Sequence, residues 1–217
     1  MKAVIFDMDG VLFDTERLAV KCWDTIGKEI GLGEVGYMVL KTLGRTREES
    51  VKIFEREFGD RFNNDIFQKH YRAYLEDYYS KNPVPLKEGV NEILDYLKSR
   101  KIKTAVASSS SEESVMHHLK SAGIENCFDK IICGDMIEKS KPEPDIYLYA
   151  ADRLGIKSEE CCAVEDSKSG LISAHRANMK TVYIPDLYIA EPEIREIIDY
   201  EFSSLDEFRL FLIRKED

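Results

Sequence analysis

Short apolar runs recur along the chain: Ala3-Val4-Ile5-Phe6, Lys103–Ala107, Lys130–Cys133, Cys161–Val164 and Thr181–Ile184. Each is continuous rather than alternating, the pattern of a strand covered on both faces in a parallel sheet. Helical patterns lie between them. Val90, Ile93, Leu94 and Leu97 fall at i, i+3, i+4 and i+7, and Ile146, Tyr147, Ala150 and Leu154 mark another single face. From residue 89 to 184 strand and helix alternate, which predicts an α/β fold with a doubly wound parallel sheet.

The stretch after the first run follows a different period. Leu18, Cys22, Trp23, Ile26 and Ile30 form one amphipathic stripe, Val51, Phe54 and Phe58 a second, and Phe67, Tyr71, Tyr74, Leu75 and Tyr78 a third. No buried strand interrupts them. The expected organisation is therefore a core of residues 1–14 and 84–217, with an all-helical insertion over 15–83. Asn82-Pro83-Val84-Pro85 forms a stiff return connector, and a second crossing is expected near Phe13-Asp14. Two adjacent crossings let an inserted unit move as a lid. Near the C-terminus, Ile194–Ile198 and Leu205–Leu212 are expected to be helical, with Tyr200–Phe202 as an edge strand.

Composition narrows the possibilities. With 43% hydrophobic and 33% charged residues the chain has the make-up of a soluble globular protein. A formal net charge of −10 argues against nucleic acid or an anionic membrane as the main partner, though not against a small phosphorylated ligand. No apolar stretch reaches the ~18 residues of a membrane span. The five cysteines, Cys22, Cys127, Cys133, Cys161 and Cys162, include no CxxC pair and are expected to be reduced core thiols of a cytoplasmic protein. The four histidines form no HExxH motif, which argues against a zinc enzyme; His117 and His118 are expected to face solvent, and Trp23 to sit in the core of the insertion. A monomer is compatible with the chain, whose oligomeric state the sequence leaves open.

Candidate chemistry gathers where the apolar runs end, since ligands of an open α/β sheet sit at the carboxyl ends of its strands. Asp7 and Asp9 follow the first run, Ser108 and Ser109 the second, Glu165 and Asp166 the fourth, and Lys141 lies in the loop SKPEPD. Oxygen ligands without imidazole or thiolate suit Mg2+. An ionised carboxylate can attack phosphorus and form an aspartyl phosphate once a cation and a lysine relieve the repulsion between anions. A second carboxylate can protonate the leaving oxygen and later activate water. Hydroxyls and helix-start amides can hold the phosphoryl group. Two of these residues also have simpler uses: Ser108 sits in the cap-rich run SSSSEES, where Ser110 with Glu113 is one capping box, and Asp166 precedes a helix it can cap.

Together these residues resemble the haloacid dehalogenase superfamily. DMDGVLFDTE is similar to its first motif, DxDGxxxDT; Val106-Ala107-Ser108 resembles the second, Lys141 in KSKPEPD the third, and Val164-Glu165-Asp166-Ser167 the fourth. The order matches from about residue 3 to 184. The resemblance implies a Rossmann-like core with a helical cap. It implies Asp7 as nucleophile and metal ligand, and Asp9 as general acid and base with its main-chain carbonyl on the metal. Ser108 and Lys141 would bind the phosphoryl group, with Ser109 beside them, and Glu165 and Asp166 would hold Mg2+. The subgroup it resembles holds β-phosphoglucomutase and small phosphatases, and GRTREES, residues 44–50, is similar to a cap loop there that places Arg47 on a phosphate-contacting arginine. Two mutase features are missing: with Trp23 set on the shared tryptophan, Ala19 stands where the mutase has histidine, and Leu43 stands near its cap-loop lysine. The expected function is a Mg2+-dependent phosphatase of a small phosphorylated metabolite, a sugar phosphate by class, working through phospho-Asp7. The alternatives are phosphoryl transfer between sugar hydroxyls, and a catalytically silent protein that binds the metabolite.

Overall fold

The structure is a computed structural model and describes residues 1–42 and 47–215. It divides into two compact units, Met1–Asp14 with Pro85–Asp217, and Thr15–Val84.

The first unit is built on one parallel sheet. Among the described residues its strands are β1 (Ala3–Phe6), β2 (Lys103–Ala107), β3 (Lys130–Ile132), β4 (Cys161–Glu165), β5 (Lys180–Tyr183) and β6 (Tyr200–Glu201), in the spatial order β3-β2-β1-β4-β5-β6. The order reverses between β1 and β4, so a crevice opens at their carboxyl ends. β1 pairs Phe6 with Val106 on one side and with Val164 on the other. One step further, the amide of Asp7 donates to the carbonyl of Val164 at 2.9 Å. The register thus sets Asp7 level with Ala107 and Glu165.

Continuous apolar strands need cover on both faces, and successive side chains supply it alternately. Ala3, Ile5, Ala105, Ala107 and Ala163 face one layer, where they meet Ile146, Tyr147 and Ala150 of α7 (Asp145–Leu154) and Ala174 of α8 (Lys168–Arg176). The many alanines let these helices lie close to the strands. The chain also forms α5 (Val90–Ser99), α6 (Glu112–Ala122), the short α9 (Pro192–Arg195) and α10 (Leu205–Arg214). The helix expected over Ile194–Ile198 is four residues long and begins earlier, with Pro192 in its first turn, where a missing amide costs no bond. Val90, Ile93, Leu94 and Leu97 are all buried on α5.

A matched pair of clamps fixes both outer strands. At the start of β2, Asp129 accepts from the amide of Thr104 at 3.0 Å and from Lys103 at 2.5 Å, while the Thr104 hydroxyl donates to the Cys127 carbonyl at 2.8 Å. At the start of β5, Asp199 accepts from the amide of Thr181 at 2.9 Å and from Lys180 at 2.6 Å, while the Thr181 hydroxyl donates to the Ile197 carbonyl at 2.5 Å. The same Lys-Thr pair is used twice, each time with the aspartate that precedes an edge strand.

The second unit is helical: α1 (Thr15–Glu29), α2 (Met38–Thr42), α3 (Arg47–Phe58) and α4 (Asn64–Lys81). Asn63 caps α4 by accepting from the Ile66 amide at 3.1 Å. Its core joins Cys22 and Ile26 to Phe54, Phe58 and Phe67. Trp23 packs into the same core, edge-on to Phe54 and Phe67 at 5.2 and 5.6 Å between ring centroids. Each such pair contributes about 0.5–1.5 kcal/mol beyond its buried area.

Candidate active site

Lys141, in the loop before α7, meets groups from the ends of β1, β2 and β4. Its ammonium donates to Asp7, to Glu165 Oε1 at 2.7 Å and to the main-chain carbonyl of Ala107 at 3.0 Å. The Lys141 side chain is 4% exposed, that of Glu165 0% and that of Asp7 13%. Burial alone works against the charge on Lys141, but the Asp7 and Glu165 carboxylates outweigh it and hold the ammonium protonated above its ordinary range. For Asp7 the balance tips the other way. Burial, aided by the negative charges of Glu165 and Asp9, outweighs Lys141 and pushes its carboxyl up to about 7.

Asp166 is buried beside this pair, and oxygens of Asp7, Glu165 and Asp166 lie within 4.8 Å of one another. Gly10 makes room for it. The backbone there has φ +81°, and a Cβ at that position would sit 2.1 Å from Asp166 Oδ2. Helix α8 is capped by the Ser167 hydroxyl, which accepts from the Gly170 amide at 3.1 Å. Asp166 is thereby spared the capping role its position offers. The same division holds after β2. Ser111 caps α6, and Ser108 is buried with its hydroxyl accepting from the Ser110 amide at 3.1 Å.

Asp9 accepts a hydrogen bond from the Ser110 hydroxyl at 3.2 Å. The fold therefore brings Asp7, Asp9, Lys141, Glu165 and Asp166 to one strand-end cluster, with Ser108 one residue beyond the Ala107 carbonyl that holds Lys141. Ser109 is not part of that cluster: its residue is exposed, and its carbonyl packs where a side chain on Gly134 would be. Arg47 begins α3, and its side chain lies outside the described residues.

Residues that the sequence reading left out of the site also take part. The Tyr147 hydroxyl donates to Glu165 Oε1 at 2.5 Å, and the Ser167 hydroxyl to Oε2 at 3.1 Å. Tyr147 carried a signal, since a tyrosine on the buried face of a helix must find a partner for its hydroxyl. Ser110 carried none that separates it from its neighbours in SSSS. His118, expected in solvent, is buried against the Phe13 ring at 5.5 Å between centroids, and burial lowers its pKa. Only His117 of the pair is exposed, because a helix turns its successive residues to different faces.

Four carboxylates gather here around one ammonium. Such a surplus of buried negative charge, all of it on oxygen, suits a hard divalent cation.

The sequence profile of the haloacid dehalogenase-like hydrolases matches residues 4–184. The chain belongs to this family. A curated relative from Thermotoga maritima named phosphorylated carbohydrates phosphatase is 32% identical over 188 residues, covering 84% of each chain. A β-phosphoglucomutase from Bacillus subtilis is 32% identical over 188 residues, covering 84% of this chain and 82% of its own. The solved structure of CbbY from Rhodobacter sphaeroides in complex with phosphate superposes with a TM-score of 0.77 at 27% identity, covering 96% of each chain. This haloacid dehalogenase-like hydrolase therefore falls in the β-phosphoglucomutase-like subgroup, and its enzyme class is phosphoric monoester hydrolase.

Proposed function

We propose that this hydrolase is a Mg2+-dependent phosphatase of a small phosphorylated metabolite in the cytoplasm, a sugar phosphate by class, and that it works through a phospho-Asp7 intermediate. The observation that carries the reading is the Lys141 ammonium held between Asp7 and Glu165, with Asp166 among the same oxygens. The name of the Thermotoga relative supports the substrate class, and the phosphate complex of CbbY supports a phosphoryl site in this fold.

Asp7, Asp166 and the main-chain carbonyl of Asp9 would hold the ion, with Glu165 beside them. Bound Mg2+ supplies positive charge that eases the approach of an anionic ester to a carboxylate. An Asp7 oxygen attacks phosphorus, and the bond from phosphorus to the substrate oxygen breaks as the new one forms. Asp9, oriented by Ser110, gives its proton to the leaving oxygen. The resulting Asp9 carboxylate then takes a proton from water, which attacks phosphorus and releases Asp7 and inorganic phosphate. Lys141 and Ser108 hold the phosphoryl oxygens meanwhile.

The test is hydrolysis of p-nitrophenyl phosphate with Mg2+ and again with EDTA, followed by a screen of sugar phosphates. Release that depends on the metal is expected; none at high enzyme concentration would leave a protein that binds its metabolite without turning it over. The name of the Bacillus relative favours one second reading, transfer between sugar hydroxyls. With β-glucose 1-phosphate, that reading gives glucose 6-phosphate, and the phosphatase reading gives free phosphate.

A further inference from the structure

Glu165 is engaged on both of its carboxylate oxygens. Oε1 accepts from Lys141 at 2.7 Å and from the Tyr147 hydroxyl at 2.5 Å, while Oε2 accepts from Ser167 at 3.1 Å. A Cβ on Gly170 would stand 1.9 Å from the carboxylate, so α8 walls it in from that side. Tyr147 has no exposed surface, and Lys141 Nζ lies 5.0 Å from the centre of its ring. A phenylalanine would fill the same space against the same ammonium. What tyrosine adds is a hydroxyl, which is costly to bury unless it is bonded.

The geometry points to Tyr147 as a positioning residue: its hydroxyl fixes the Glu165 carboxylate as the standing anchor of Lys141. This rests on the phospho-Asp7 reading above. In the resting site Lys141 is shared between two carboxylates. Once the Asp7 oxygen is bonded to phosphorus it no longer carries a full charge and grips the ammonium far less. Glu165 and the Ala107 carbonyl are then the protein contacts that remain to aim the ammonium at the phosphoryl oxygens. Were Glu165 free to turn, the flexible four-carbon stem of Lys141 would drift with it. Two hydroxyls on the carboxylate, one from α7 and one from the cap of α8, remove that freedom. Tyr147 thus never touches substrate and acts through Glu165 alone.

The experiment is a double-mutant cycle on the full chain, with p-nitrophenyl phosphate and saturating Mg2+, using Tyr147→Phe, Glu165→Gln and the pair. Tyr147→Phe is expected to lower kcat about tenfold, the size of a lost hydrogen bond to a charged group, with KM within twofold. In the Glu165→Gln background the same change is expected to cost less than twofold. A kcat within twofold of the parent, or a tenfold loss that persists in the Glu165→Gln background, overturns the proposal and leaves Tyr147 as packing. Tyr147→Leu, which also lacks the hydroxyl, runs the same cycle if the phenylalanine variant does not fold. A parent that releases no phosphate counts against the phosphatase reading instead. The anchor is then read from a crystal structure of Tyr147→Phe, where a Glu165 carboxylate still on Lys141 overturns it.

Discussion

At the scale of single residues, the site turns on a conflict between solvation and charge. Asp7 is short of water and faces two other acids, and its carboxyl stands at about 7 despite Lys141. A carboxyl raised in the native state favours folding most below its unfolded pKa, 3.8, and that contribution fades as the pH climbs through 7. Asp7→Asn, in EDTA, is therefore expected to melt several degrees above the parent at pH 8, with the gap closing toward pH 4. In the same variant turnover is expected to fall by more than about a thousandfold, since an amide is a poor nucleophile. Calorimetry and a phosphate-release assay check the two halves; an active Asp7→Asn enzyme would refute the covalent route. The strand-end acids and Lys141 were legible because a parallel sheet delivers whatever follows its strands to one edge. Tyr147 was placed on its buried face but not beside Glu165, and His118 was expected in solvent, because helical spacing does not tell what a polar atom meets across the interior.

At the scale of elements, apolar runs marked the strands because burial on both faces leaves no room for polar alternation, and β1 to β5 follow those runs closely. The edge clamps were hidden by distance: Asp129 lies 25 residues from Thr104 and Asp199 lies 18 from Thr181, spacings that no helical or strand period links. Burial alone would raise both aspartates, but bonds from Lys103 and Thr104, or from Lys180 and Thr181, overcome it and lower their pKa values. Such a group stabilises the fold above its unfolded pKa of 3.8, and the contribution disappears as the pH falls through the lower native value. Asp129→Asn is expected to cost about 1 kcal/mol at pH 7, modest because the pair is partly in solvent. The deficit should shrink as the pH falls below 3.8 and be gone in strong acid. Urea unfolding at the two pH values measures it; an equal deficit at both would mean that charge plays no part.

For the whole molecule, each unit has its own apolar centre. The cluster around Cys22, Phe54 and Phe67 lies within Thr15–Val84, and the sheet layers lie outside it. The two crossings are already joined inside the larger unit: the Asp14 amide donates to Pro85 at 2.8 Å and the Lys87 amide to Leu12 at 2.9 Å. A chain with residues 15–84 replaced by a short glycine-rich linker is thus expected to fold cooperatively and to keep the sheet. Far-UV dichroism through a thermal melt reads this, and a gradual, featureless melt would refute it. The helical stripes of the smaller unit were legible as helices, since amphipathic spacing is local. How those helices pack on one another was not, since no single stripe encodes their mutual placement. Among the described residues no helix is long and apolar enough to cross a membrane.

The central position of β1 has a consequence for how the protein comes into being. Its neighbours are residues 103–106 on one side and 161–164 on the other, both far along the chain from Ala3–Phe6. A nascent chain carries Asp7 at the end of a strand that gains its first neighbour only once β2 has been made and its second only once β4 has been made. Asp7 is thus made before either neighbour and enclosed only after both, and no truncated product that stops short of the fourth strand can assemble the cluster around it.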